Sequence, residues 1–337
     1  MSLKNPKEVN FFIKDIKKKI DIGVAAPHWQ LRDMLDIYEG CLIFTRSHQI
    51  YSYDTCNDEL ICDMDKCETI DTLFFAPSAL SCNHGLLAVG GQRGQVELIN
   101  LKNRKTVFEY SEGLITNTVN ILNIGGVIQL MACNNDKTIK IFGGENMQRL
   151  GTIEHPWAVN SCSMSDDQKF LASVGDKNEV FLFARDGGKY TRLNILETFK
   201  DSGFSVSWNS TSTMFAVATQ DGYVCMWDTR FLCSPFAVTS HQFGSAQGAC
   251  RNVKFSKKMS IDLLMYTEHS SYVNFLDTRD FNKQQSLCID PKSENVSISG
   301  AIFSETGDSV YVSTNSAIYN FSISVNSRYS FADYSTI

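Results

Sequence analysis

The sequence predicts an all-β chain, a seven-bladed β-propeller of four-stranded antiparallel blades, on three observations. Seven times a β-branched residue stands three places before an apolar or aromatic one: Ile50 and Tyr53, Val96 and Ile99, Ile139 and Phe142, Val180 and Phe183, Val224 and Trp227, Val273 and Leu276, Ile318 and Phe321. Successive copies lie about 41 to 49 residues apart, the period of a blade made of short strands with no helix between copies. Tight-turn pairs precede the motif at Arg93-Gly94, Asp136-Lys137, Asp221-Gly222 and Asn315-Ser316, and they include residue types that tolerate the positive φ of a hairpin turn.

Taken in order, residues 1–23 form a basic leader, MSLKNPKEVNFFIKDIKKKIDIG. A propeller must join its last blade to its first. VNFFI in this leader is one candidate for the closing strand, FSISVNSRYS after the last repeat is its competitor, and a leader that stays solvated is the third alternative. The propeller is expected over 24–325 and a C-terminal tail over 326–337. The first hairpin falls at Cys41–Asp54, and the acidic stretch between Cys56 and Cys67 has little strand pattern. GLLAVGGQRGQVELINL, LMACNNDKTIKIF, FLASVGDKNEVFLF and MFAVATQDGYVCMWD each read as an apolar run, a turn and an alternating strand, the second and third strands of a blade. Ahead of the hairpins lie TVNILNI, AVNSCSM, FSVSWNS, NVKFSK and SGAIFSE, the first strands, which line the channel.

The chain has 337 residues, 43% of them hydrophobic and 20% charged, an ordinary globular composition with ample core material. Equal repeats that each need a neighbour to cover their apolar faces make one closed domain. The formal net charge of −6 argues against a surface adapted to nucleic-acid phosphates. No stretch approaches the ~20 apolar residues that span a bilayer, and the N-terminus lacks the apolar core and cleavage site of a secretory signal. The expected location is the cytoplasm, with the nucleus as a further compartment. Eleven cysteines, an odd number in a large chain without an export signal, are expected as reduced thiols.

No catalytic constellation stands out, so no enzyme activity, cofactor or metal is expected. The six histidines are scattered over different repeats, and Cys56, Cys62 and Cys67 lack paired zinc-ligand spacing. The glycines of AVGGQRGQ sit between two strands with no Gly-Lys-Ser/Thr following, as turn glycines do rather than a phosphate loop. Asp166-Asp167 occupies a turn.

The string YVCMWDTR resembles the WD-repeat proteins, a likeness covering residues 30–325. It implies structural roles for Thr219, Asp221 and Trp227, the aspartate bracing the turn and the tryptophan packing the blade, and a similar turn role for Asp136. Two departures stand against it: no Gly-His pair precedes a first strand, and Trp-Asp occurs once. The order of HWQLRDML, AVGGQRGQ, NNDKTIKIF, HPWAVNSCSMSDDQKFLASVGD, FSVSWN and TQDGYVCMWDTR is similar to a narrower fungal and plant WD-repeat group. Some fungal relatives are associated with substrate recognition by a ubiquitin ligase of the glucose-induced-degradation type. This resemblance implies ubiquitin-ligase subunits among the partners.

The residues just before each first strand point to the channel face, where propellers commonly bind. They are Asn117, Asn120, Trp157, Asn160, Phe204 and Arg251, with Gln30 and Arg32 from the first repeat. Aromatics beside an arginine and amides suit peptide recognition. The competing role for Trp157 and Phe204 is packing between blades or plugging the channel, and for Arg251 pairing with an acid such as Asp201. The predicted function is a non-enzymatic interaction scaffold that binds a peptide or chain terminus on this face. A phosphoinositide-binding propeller in membrane traffic is the alternative, and it would require basic pockets that the nearest string, GQRG at 91–94, does not supply.

Overall fold

Each turn pair closes a hairpin between strands of alternating pattern, and seven such hairpins arrange around one channel. The computed structural model describes residues 6–9, 13–26, 32–56, 64–240, 248–257, 262–279, 281–292 and 296–324. Among them the structure is all-β apart from a short 3-10 turn at Met64–Lys66.

The first strands are Leu35–Tyr38, Pro77–Asn83, Thr116–Ile124, Val159–Met164, Gly203–Trp208, Asn252–Phe255 and Ile298–Phe303, one from each blade. They surround the channel, and three further antiparallel strands run outward from each. The second strands, such as Met214–Thr219 and Leu263–Thr267, are buried almost throughout, because neighbouring blades cover both faces. Outer strands such as Lys105–Ser111, Gln148–Glu154 and Lys189–Glu197 are mostly exposed.

The apolar core therefore lies between blades. Ala172, Val174 and Leu182 of the fourth blade pack on Trp208, Phe215, Val217 and Trp227 of the fifth. Trp227 is fully buried, stacked on Phe215 with centroids 5.3 Å apart.

The ring is closed by the N-terminal segment. Ile13–Ile20 runs antiparallel to Ile318–Ile323, with Ile13 opposite Ile323 and Ile20 opposite Ile318, and so forms the outer strand of the seventh blade. Two register shifts, between Ile13 and Ile16 and between Ile16 and Lys18, bury Ile13 and Ile20 and leave Ile16 exposed. Of VNFFI only Ile13 lies in this strand, and residues 10–12 fall outside the described set. The backbone of this stretch is paired while Lys17 and Lys19 stay exposed: the half-buried Lys18 has its ammonium 5.6 Å from the Tyr53 ring centroid, and Lys19 pairs with Asp21 at 3.1 Å. Of FSISVNSRYS, residues 321–323 belong to the seventh blade's third strand, while 325–337 fall outside the described set. Lys7–Glu8 adds a fifth strand to the sixth blade, parallel to Lys283–Cys288.

The upper face carries the connections from each outer strand to the next first strand and the turns joining second and third strands. The two sets are tied by backbone hydrogen bonds, among them Leu73 N to His48 O, His155 N to Lys137 O and Gln220 N to Ser202 O. The described cysteines are free thiols. No helix among the described residues is long and apolar enough to cross a membrane.

Candidate functional site

A first strand facing a channel has polar groups that adjacent blades can satisfy, and here side chains join one blade to the next. Ser78 Oγ donates to Thr116 O at 2.6 Å, and Asn117 Nδ2 donates to Val159 O at 2.8 Å and to Asn135 Oδ1 at 2.6 Å. Asn120 Nδ2 reaches Cys162 O at 2.9 Å. Asn160 Nδ2 donates to Gly203 O and to Asp176 Oδ1, both at 3.0 Å. Asn117 and Asn160 are buried. The three asparagines expected at the site are thus interblade links at the channel wall.

At the same level of the fifth and sixth blades the pattern changes from amide to arginine. The Arg251 guanidinium lies over the Phe204 ring, 4.8 Å from its centroid, in a cation–π arrangement. Its Nη2 lies 2.8 Å from His269 Nδ1 and its Nε 3.3 Å from the same atom. Since the guanidinium donates, Nδ1 accepts and His269 is neutral, with its proton on Nε2. Burial, then Arg251 and Arg32, holds the His269 pKa below its ordinary value. Burial, then Arg32, brings Arg251 down to about 10, still charged at neutral pH. Arg32 donates to Ser297 Oγ and, at 3.2 Å, to Ile298 O of the seventh blade. Asp201 turns back on its own loop, accepting from Ser202 N at 2.7 Å.

Arg32, Phe204 and Arg251 line one chamber of the channel, about 190 Å³, with Asn117, Asn120 and Lys254. Gln30 lies outside the described residues. Below, a second chamber of about 330 Å³ is lined by Asp33, Asp36, Lys254 and Lys257. Lys254 Nζ pairs with Asp33 at 2.7 Å. Asp36, half-buried and accepting from Cys82 N at 2.7 Å, has its pKa raised by desolvation of its carboxyl.

Trp157 does not reach the arginine. It is 4% exposed in the core between the third and fourth blades, lies tilted against the Phe181 ring with centroids 5.0 Å apart and donates Nε1–H to Glu179 Oε2 at 2.8 Å. Phe204 is also buried, at 2% exposure, and meets the chamber through the ring that carries Arg251. His269 carries no motif in the sequence. A signal was nevertheless present: it follows Arg251 by 18 residues, the separation of the bonded pair Asn117 and Asn135. Among the described residues no group of three or more His, Cys, Asp or Glu side chains is arranged to hold a metal.

Residues 147–183 and 195–228 match the family described as WD domain, G-beta repeat, and residues 248–287 match an uncharacterised protein domain, DUF2415. Two of the seven blades match the WD repeat. Each matched segment begins in one blade's outer strand and runs through the next blade's first three, the same offset by which the N-terminal strand completes the seventh blade. Inside the second segment Thr219 Oγ1 donates to Asp221 Oδ1 at 2.5 Å and accepts from Tyr223 N at 3.1 Å. Asp136, in the corresponding turn of the third blade, accepts from Thr138 N at 3.1 Å and pairs with buried Lys140.

An uncharacterized protein of Schizosaccharomyces pombe is 26% identical over 92% of both chains. An uncharacterized protein of Saccharomyces cerevisiae is 24% identical over 59% of this chain and 32% of its own length. A chain in the crystal structure of the mitotic checkpoint complex superposes with a TM-score of 0.75 at 13% identity, covering 96% of this chain and 99% of that one. This last likeness is one of fold. A WD-repeat propeller fits a protein-interaction scaffold.

Proposed function

We propose that this chain is a non-enzymatic scaffold that holds a peptide segment of a protein partner at the upper mouth of its channel. The observation that carries the proposal is the constellation of Arg251 laid on Phe204, directed at His269 and set beside Arg32. An arginine immobilised on an aromatic ring is already ordered for recognition, which lowers the entropy cost of binding. On the same face Phe74 is fully exposed and Leu114 is 56% exposed, in successive connections between blades. They supply the apolar contact that a charged mouth lacks.

The concrete form we propose is recruitment of substrates to a ubiquitin ligase in the cytoplasm and nucleus, supported by the motif resemblance to fungal WD-repeat relatives. Purification of the tagged chain from its own cells, beside the Arg251→Ala and Phe74→Ala variants, tests the surface. Loss of the same co-purifying protein in both variants, with unfolding midpoints retained, supports the upper mouth. Equal recovery in all three sinks it. Absence of ligase subunits in every sample removes the ligase role alone.

A further inference from the structure

We infer that the groove between the seventh and first blades, a site separate from the upper mouth, binds an uncharged, extended segment of a second protein whose peptide group pairs with the side-chain amide of Asn320. The groove encloses about 890 Å³ along the closing strand, and Ile16, Ile37, Tyr311 and Asn320 are among its lining residues, a size that takes a few residues of chain. Lys18, Asn320 and Tyr311 stand side by side on adjacent strands of the seventh blade. From this row the Lys18 ammonium reaches the Tyr53 ring of the first blade. Asn320 is 6% exposed, and its Oδ1 is fully buried without a hydrogen-bond partner. Buried polar groups are nearly always paired, so this amide is an exception that calls for a cause.

The sixth blade shows what such an amide does when a chain passes it. Gln285, 4% exposed, accepts from Ile13 N at 2.8 Å through Oε1 and donates Nε2–H to Ile13 O at 2.9 Å. Both ends of one side-chain amide thus grip one residue of an extended strand. Asn320 offers the groove the same donor and acceptor. Its last torsion is soft, so either end of the amide can turn outward, and a peptide group carries a partner for each. The charges of the walls complement an uncharged segment, since Lys17, Lys18 and Lys19 stand against Asp21, Glu305 and Asp308. Those carboxylates are already engaged: Asp21 by Lys19 at 3.1 Å, Glu305 by Gly40 N at 3.0 Å and Asp308 by Thr306 Oγ1 at 2.7 Å. The closing strand sets an extended path. Among the described residues no further strand covers the outer edge of Ile13–Ile20, and an unpaired edge is a template for another chain. Ile16, 46% exposed on that strand, supplies apolar contact.

The test presents a phage-displayed library of random decapeptides to the immobilised full chain. Enriched peptides are synthesised, and their affinities for the parent, Asn320→Leu and Ile16→Glu are read by fluorescence anisotropy. The expected result is a set of peptides with uncharged cores whose affinity falls roughly 10-fold or more in each variant. Lys105→Gln, which alters an exposed lysine on the second blade's outer strand, leaves it unchanged. The Asn320 side-chain amide resonances, assigned by their loss in Asn320→Leu, shift when such a peptide is added. Leucine removes an unpaired buried amide, so this variant keeps the unfolding midpoint of the parent or raises it; should it fail to fold, Ile16→Glu, at an exposed position, carries the test. No enriched peptide, or equal affinity in the parent and both variants, overturns the inference, as do enriched peptides with uniformly acidic or basic cores. Peptides that are lost in Arg251→Ala and kept in Asn320→Leu place peptide binding at the upper mouth alone, and this result overturns the groove while sparing the upper mouth.

Discussion

Acid should destabilise this protein through His155. The imidazole sits in the connection into the fourth blade, 7% exposed, packed against Trp157 at 4.9 Å, Phe181 at 5.4 Å and Phe183 at 5.7 Å. In the neutral ring Nδ1 donates to Ile153 O at 3.3 Å and Nε2 accepts from Ser173 Oγ at 2.8 Å, so that form is satisfied without a buried charge. Burial, opposed by the Ile153 carbonyl and aided by Arg192, lowers the pKa from 6.5 to about 4. A depressed histidine contributes stability that is present above its unfolded pKa and lost as pH falls. A drop from 6.5 to about 4 corresponds to about 3 kcal/mol in all, of which about 2 kcal/mol disappears between pH 7 and pH 5. The assay is urea unfolding across that range for the parent and for His155→Gln, which keeps an amide for Ser173 and cannot titrate. The difference in stability between the two proteins should shrink by about 2 kcal/mol on acidification. A parallel pH dependence in both would refute the assignment.

Trp157→Ala removes a buried ring and strips the Glu179 carboxylate of its indole donor; the expected loss is about 3–5 kcal/mol, and a loss under ~1 kcal/mol in urea titration would mean the ring is not core. Gly175→Ala would place a Cβ 2.0 Å from Ala158 O and 2.4 Å from the Trp157 ring, so the fourth blade should lose about 2 kcal/mol or more, read as a lowered thermal midpoint; an unchanged midpoint rules out the close approach. Removing residues 1–20 uncovers the edge of Ile318–Ile323 and should shift the size-exclusion profile to larger species than the parent forms. A truncated chain that elutes as the parent does would show that the closing strand is dispensable.

The hairpins were legible because interior strands bury both faces and so keep their apolar pattern: every β-branched motif from Ile50 to Ile318 lies in a third strand. Outer strands were hard to read because one side faces solvent, and Gln148–Glu154 has little alternation to detect. The same cause hid Ile13–Ile20, where lysines occupy exposed positions and two register shifts break the period-two signal. At the channel, sequence position located the start of each first strand, and Arg251 and Arg32 do line one chamber. Position alone did not separate Trp157, turned into the interblade core, from Arg251, turned to the channel. That choice depends on what the neighbouring blade leaves vacant. His269 was hidden because its partner is supplied by spatial return of the chain, 18 residues earlier.

The seventh blade inverts the order of manufacture. Its outer strand precedes the first six blades along the chain, yet its partner, Ile318–Ile323, follows them. While the six intervening blades are made, Ile13–Ile20 has no native edge to join. A strand that must wait so long is exposed to every other nascent edge, and lysines within it are the usual protection against such premature pairing. The basic sequence IKDIKKKI therefore serves the interval before closure as well as the closed ring, and the circle waits on the seventh blade.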